Sequence, residues 1–318
     1  MRIAILDDYQ NAALTLADWS VLAERASITV FNRHLGDEKQ VVAALQPFDI
    51  VVAMRERTRF PRSVIEKLPA LRLIATTGMW NAAIDLAAAA GRGVQVSGSR
   101  GLRYPTAELA WGLIIALTRR LRPEFAALDR GLWQTTIGTD LHGKTLGVLG
   151  LGELGSRVAR VGLAFDMKVI AWSHNLTGER AAALGVRRVD KDTLLAESDV
   201  LSLHTVLSSR TQGIIGAAEL ARMKPTAYLV NTSRGPLVDE DALVAALRAG
   251  RLAGAGIDAF AEEPLAMDHP FRSAPNMVLT PHLGYVTEES LRIMYADVVE
   301  VIAGFIDGKK LREIKPLA

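Results

Sequence analysis

Cysteine is absent from all 318 residues, which removes disulfides, thiolate metal sites and a thiol nucleophile from consideration. An excess of one charge is also missing: 37 Lys and Arg stand against 35 Asp and Glu, a formal net charge of +2, and no basic block interrupts the chain. That balance argues against nucleic acid as the main partner. Long apolar runs are lacking too, since the most apolar stretch, "LAWGLIIAL", is too short to span a bilayer. The opening "MRIAILDDYQ" has neither the apolar segment nor the small-residue cleavage site of a signal peptide. The expectation is a soluble cytoplasmic protein with no membrane partner. The six histidines include no H-E-x-x-H spacing, and no metal is expected.

What is present is ample core material: 49% of residues are hydrophobic and only 23% charged. The length allows one large or two ordinary domains. Short apolar runs alternate with helical patterns almost throughout, which indicates α/β architecture with parallel strands. "RIAIL", "SITVF", "DIVVAM", "LRLIAT" and "VQVSG" form a first series. "TLGVLG", "KVIAW", "DVLSLHT", "AYLVNTS", "AGAGIDAF" and "NMVLTPH" form a second. Pro105 sits at the first turn of a helix expected over "TAELAWGLIIALTRRL", where its missing N–H costs nothing. A last amphipathic helix is expected from Glu288 to about Phe305. Two series predict two doubly wound domains.

Four stretches carry chemistry. In "VLGLGELGSRVAR", Gly150, Gly152 and Gly155 form G-x-G-x-x-G between a strand and a helix, the setting of a dinucleotide-binding turn. A plain βα turn, or a nucleoside cofactor such as S-adenosylmethionine, is the alternative. In "LVNTSRGPLVDEDAL" a strand delivers Arg234, whose planar fork suits a carboxylate. "GIDAFAEEPL" places Asp258, Glu262 and Glu263 after another strand, and "VLTPHLGYVTEE" places His282 after a third. Arg, Glu and His on separate strands of one sheet converge on one crevice. A cation for a carboxylate, a proton carrier and an acid to orient it make a working set. The remaining histidines, His34, His142, His174, His204 and His269, have no comparable company in the sequence.

"GKTLGVLGLGELGSRVA", "SDVLSLHTVLSSRTQGIIG", "VNTSRGPLVDEDALVAAL", "GIDAFAEEPL" and "NMVLTPHLGYVTEE" occur in this order, and with them the chain closely resembles the D-2-hydroxyacid dehydrogenase family. That family includes D-3-phosphoglycerate dehydrogenase, glyoxylate/hydroxypyruvate reductases and the C-terminal binding protein corepressors. The resemblance implies a flavodoxin-like substrate domain, residues 1–98 and 288–318, split by an inserted Rossmann NAD(P)-binding domain, residues 99–287. It places the active site in the interdomain cleft. It implies a homodimer through the helix after Pro105 and the segment around Trp133. The activity implied is hydride transfer between nicotinamide and a small-molecule 2-oxoacid or D-2-hydroxyacid. A nucleotide-sensing corepressor or scaffold on the same fold is the competing reading. Formate dehydrogenase is disfavoured, because that branch carries Gln at the position of Glu263.

Residue by residue, Arg234 matches the arginine that binds substrate carboxylate, His282 the proton donor and acceptor, and Glu263 the acid that orients it. The cofactor is expected on Gly150, Gly152, Glu153, Leu154 and Gly155; on Ser173, His174 and Asn175; on His204, Thr205 and Val206; and on Thr232, Ser233, Asp258 and Gly284. Substrate contacts are expected from Arg55, Met79, Trp80 and Arg234, with Met79, Trp80, Tyr104 and Tyr285 shaping an apolar wall. The chain departs from the pattern at Trp80, where Gly is usual, at Ala82, where Asp is common, and at Val206, which replaces a Pro. In "VIAWSHNLTGER" the family's NAD-preferring acid is replaced by Ser173. Losing that charge removes repulsion against a 2′-phosphate, so NADP(H) is slightly favoured over NAD(H), with use of both cofactors as the alternative.

Overall fold

Short runs of β-branched and aliphatic residues become the buried strands of two parallel sheets. The structure, a computed structural model, describes residues 1–316. Its contacts divide the chain into two units: Met1–Leu102 with the segment from Val286 onward, and Arg103–Tyr285.

The first unit begins β1 (Arg2–Ile5), α1 (Ala13–Leu16), β2 (Ser27–Val30), α2 (Glu38–Leu45) and β3 (Ile50–Ala53). It continues α3 (Arg62–Ile65), β4 (Leu73–Thr76), α4 (Leu86–Gly91) and β5 (Gln95–Ser97). The strands lie in the order β2-β1-β3-β4-β5, all parallel. Every residue of β3 and β4 is buried, as expected of central strands covered on both faces. Asp37 and Asp85 accept the orphan N–H groups of Gln40 and Ala88 at the starts of α2 and α4, caps worth about 1 kcal/mol each.

The second unit opens with α5 (Pro105–Thr118) and α6 (Leu121–Leu128), then β6 (Thr145–Leu149), α7 (Glu153–Ala164) and β7 (Lys168–Trp172). It proceeds through α8 (Gly178–Ala182), β8 (Arg187–Arg188), α9 (Lys191–Glu197), β9 (Val200–Leu203) and α10 (Ala217–Arg222). It ends with β10 (Tyr228–Asn231), α11 (Glu240–Arg248), β11 (Gly254–Ile257) and β12 (Met277–Leu279). The parallel order is β12-β11-β10-β9-β6-β7-β8. One face buries Leu195, Leu201, Leu229 and Leu243, and the other buries Trp111, Ile114, Val148 and Val158. Helix α7 turns Gly155, Val158, Ala159 and Gly162 inward, the i, i+3, i+4, i+7 stripe that periodicity demands.

The chain returns to the first unit in α12 (Glu288–Ile306), where Tyr295 is buried and its ring lies 6.4 Å from that of Trp19. Arg100 grips the buried Asp297 of α12 through Nη2 at 2.7 Å and its backbone N–H at 2.7 Å.

Two local expectations are corrected. The helix expected to run to Leu121 stops at Thr118, because the Thr118 carbonyl accepts the Thr139 N–H at 2.7 Å and Arg120 turns left-handed at φ 51°. The polar stretch after β7 is not all loop: Thr177 caps α8, and the Arg187–Arg188 pair, with no hydrophobic signal of its own, adds the edge strand β8.

Candidate active site

The order of the second sheet brings the candidate residues to one edge. Gly150 follows β6, Ser173 follows β7, His204 follows β9, Arg234 lies just past β10, Asp258 follows β11 and His282 lies just past β12. Between β6 and β9 the strand order reverses, the place where open α/β sheets bind ligands. Gly150 has φ +101°, and a Cβ there would run into the backbone of His204 and Thr205. A Cβ on Gly155 would meet the Gly150 carbonyl, so the glycine also lets α7 close on its strand. The N-cap of α7, Gly152, offers no side-chain acceptor, which leaves the first N–H groups of the helix open to an anion.

At the same sheet edge two buried polar atoms have no hydrogen-bond partner, Nδ1 of His204, whose backbone packs against Gly150, and Oγ1 of Thr232 after β10. The other ring nitrogen of His204 lies 2.8 Å from Ser202 Oγ, and burial pushes the imidazole down to about 4, so it is neutral at physiological pH. A glycine floor, open helix N–H groups and unsatisfied buried polar atoms fit a bound dinucleotide. Thr205 is half-buried and Val206 is 81% exposed, while Glu153 is exposed and paired with Arg103 at 2.8 Å. Ser173 is half-buried. His174 and Asn175 are exposed, the His174 ring 4.9 Å from that of Trp172.

The Glu263–His282 pair is closely held. His282 Nδ1 lies 2.9 and 2.7 Å from the two oxygens of Glu263, and the Phe260 N–H donates to Glu263 Oε1 at 3.0 Å. Of the two adjacent acids, Glu263 faces the histidine and Glu262 is exposed. His282 adopts a left-handed backbone (φ 54°), uncommon for non-glycine residues although histidine takes it more often than most. Asp258 holds the segment that carries it: its carboxylate accepts from Thr280 Oγ1 at 2.6 Å and from the N–H groups of Leu283 at 2.7 Å and Gly284 at 2.9 Å. Burial pushes the Asp258 carboxyl above the usual range, against those hydrogen bonds and the nearby His282. The Tyr285 ring meets the His282 ring edge-on at 5.8 Å.

Arg234 is half-buried, with Nη1 donating to the Ser233 carbonyl at 2.9 Å. Asn231 fastens this turn by donating to the Arg234 carbonyl at 2.8 Å and accepting the Ser233 N–H at 3.0 Å. In the first unit, Arg55 lies just past β3 with φ 52° and donates through Nη1 to the Thr77 carbonyl at 3.1 Å. Met79 and Trp80 on the following loop are 51% and 56% exposed. Among the described residues no cluster of three or more His, Cys, Asp or Glu is placed to hold a metal, and no helix is long and apolar enough to cross a membrane.

Three histidines without comparable company in the sequence have an acid beside them in the fold: His34 by Asp7, His142 by Asp166, and His269 by Glu240. His269 Nε2 lies 3.3 Å from Glu240 Oε2, and Glu240 Oε1 accepts the Ala261 N–H at 2.9 Å. Sequence reasoning missed Glu240 because an acid in the first turn of a helix already has an explanation in the helix dipole.

Residues 111–284 match the family described as D-isomer specific 2-hydroxyacid dehydrogenase, NAD binding domain. The chain is 39% identical over 261 residues to a glyoxylate reductase of Aeropyrum pernix, covering 79% of this chain and 78% of that protein. It is 36% identical over 306 residues to a hydroxypyruvate reductase of Thermotoga maritima, covering 95% and 97%. Among solved structures, a phosphoglycerate oxidoreductase from Vibrio cholerae is 37% identical with a TM-score of 0.92, covering 97% and 99%. The chain spans about half the length of the D-3-phosphoglycerate dehydrogenases it also matches.

Proposed function

From its membership of the D-isomer specific 2-hydroxyacid dehydrogenase family, which makes the chain a nicotinamide-dependent oxidoreductase of 2-hydroxyacids, we propose that this enzyme interconverts a small 2-oxoacid and its D-2-hydroxyacid through Arg234, Glu263 and His282. The observation that carries the assignment is the two-oxygen grip of Glu263 on His282 Nδ1, at the same sheet edge as a half-buried arginine. Bound nicotinamide supplies or accepts the hydride. Arg234 holds the substrate carboxylate with its fork. With Nδ1–H donated to Glu263, Nε2 is the nitrogen that gives a proton to the carbonyl oxygen during reduction. In the reverse direction the neutral ring takes the hydroxyl proton.

The unit Arg103–Tyr285 takes the dinucleotide on Gly150, Gly152, Glu153, Leu154 and Gly155, with His204, Thr205, Val206, Thr232, Ser233, Asp258 and Gly284 around it. Orphaned His204 Nδ1 and Thr232 Oγ1 support that assignment. NADP(H) is preferred over NAD(H), because Ser173, His174 and Asn175 carry no acid against a 2′-phosphate and donate hydrogen bonds to one. Arg55, Met79 and Trp80 of the other unit contribute substrate contacts, and the exposed Met79 and Trp80 favour an apolar substituent. The protein acts in the cytoplasm as a homodimer. The exposed apolar side chains of Phe125, Leu128, Trp133 and Ile137 support the homodimer.

NADPH and NADH oxidation measured against glyoxylate, hydroxypyruvate and longer 2-oxoacids tests the reading. Turnover with at least one of them is expected, and its absence across the panel despite nucleotide binding overturns the assignment.

A further inference from the structure

The turn that carries Glu263 is held from outside the reacting set. Gly235, next to Arg234, packs so closely on this turn that a Cβ there would strike the Phe260 carbonyl and the Ala261 nitrogen. The adjoining Ala261 N–H is taken by Glu240 Oε1 at 2.9 Å, from the first turn of α11. The next donor back along the chain, the Phe260 N–H, is the one that holds Glu263 Oε1 at 3.0 Å. Glu240 thus fixes the peptide beside the one that fixes Glu263, and it belongs to the same loop-to-helix segment as Arg234.

Glu240 is itself held. Its second oxygen lies 3.3 Å from His269 Nε2. His269 Nδ1 accepts the Phe271 N–H at 3.3 Å, so in the neutral ring the proton sits on Nε2, facing the carboxylate. The His269 ring packs edge-on to Phe271 at 4.9 Å, and Phe271 is buried 6.3 Å from the ring of Phe260. Three segments, bearing Arg234, Glu263 and His269, therefore meet on one carboxylate. A cavity of about 210 Å³, lined by Val238, Asp239, Asp241 and Pro270, opens beside the pair. Truncating Glu240 therefore leaves a polar space and not an apolar void.

Resting on the hydride-transfer reading above, we infer that Glu240, steadied by His269, is a positioning residue for the reaction. It sets the 260–263 turn so that Glu263 meets His282 in register with Arg234. Glu240 acts through the turn, without touching substrate.

The test uses the full-length enzyme with glyoxylate and hydroxypyruvate as probes, and titrates NADH and NADPH separately. In Glu240→Ala, kcat falls by roughly 10- to 100-fold while KM and nucleotide affinity stay within about twofold, because only the alignment of the proton donor is disturbed. Glu240→Gln recovers kcat to about the level of His269→Ala, since its amide oxygen still accepts from the Ala261 N–H while its NH2 cannot accept from His269 Nε2. His269→Ala, which removes one support and leaves the helix start intact, lowers kcat by about threefold to tenfold and carries the test where Glu240→Ala does not fold. A lower Tm with kcat unchanged in the folded variants overturns the positioning role. So does a Gln variant no better than Ala. Absence of wild-type turnover on the panel overturns the functional reading instead.

Discussion

Glu263 meets His282 with both carboxylate oxygens, at 2.9 and 2.7 Å from Nδ1, and is held in turn by the Phe260 N–H. A ring fixed at one nitrogen presents the other in a constant direction, which is the condition for proton transfer to a substrate oxygen.

On the proposed mechanism, His282→Ala removes the proton carrier. Its kcat is expected to fall roughly 100- to 10,000-fold, while nucleotide affinity changes by less than about twofold. Steady-state rates beside a fluorescence titration with NADPH decide it. Near-wild-type turnover eliminates His282 as the donor.

Arg234→Lys keeps the charge and loses the planar fork. A carboxylate gripped by two parallel N–H groups then keeps one, and kcat/KM is expected to drop roughly 10- to 100-fold. If the Lys variant matches wild type on every 2-oxoacid of the panel, the carboxylate is bound elsewhere.

Ser173→Asp restores an acid at the end of β7. Charge repulsion against a 2′-phosphate is expected to shift the NADPH/NADH ratio of kcat/KM toward NADH by about tenfold. An unchanged ratio means that cofactor choice is made at another position.

His204 makes a prediction about stability. Its folded value is depressed from 6.5 to about 4, so the neutral ring is favoured in the native state and protonation favours unfolding. The corresponding stability is fully present above about 6.5 and is lost as pH falls through about 4, roughly 3 kcal/mol in total. Urea midpoints of wild type are expected to fall across this window more steeply than those of His204→Asn. Parallel pH dependences would show that the buried ring does not titrate with unfolding.

The strands and the glycine turn were legible in the sequence, because each rests on a local regularity, and the candidate set of Arg234, Glu263 and His282 came from the order of the family motifs. Burial of β3 and β4 follows from continuous aliphatic runs, and the inward stripe of α7 follows from its period. The end of α5 was not legible, since it depends on Thr139 reaching back to the Thr118 carbonyl. Nor was β8, whose two arginines pair only because β7 offers them an edge. The family motif already pointed to Glu263, and side-chain direction in the turn sets it against His282 and leaves Glu262 exposed.

By itself the sequence determined the two-sheet α/β plan, the strand–glycine–helix turn and the family, through spacing and order along the chain. Tertiary structure alone decided which groups face one another. It turned His282 left-handed toward Glu263 and orphaned Nδ1 of His204 beside the glycine floor. It also brought His269 against Glu240, residues that look unrelated in the linear chain. The reason is physical: backbone propensity and hydrophobic period act over a few neighbours, whereas a hydrogen bond between distant side chains exists only after the sheet has set their positions.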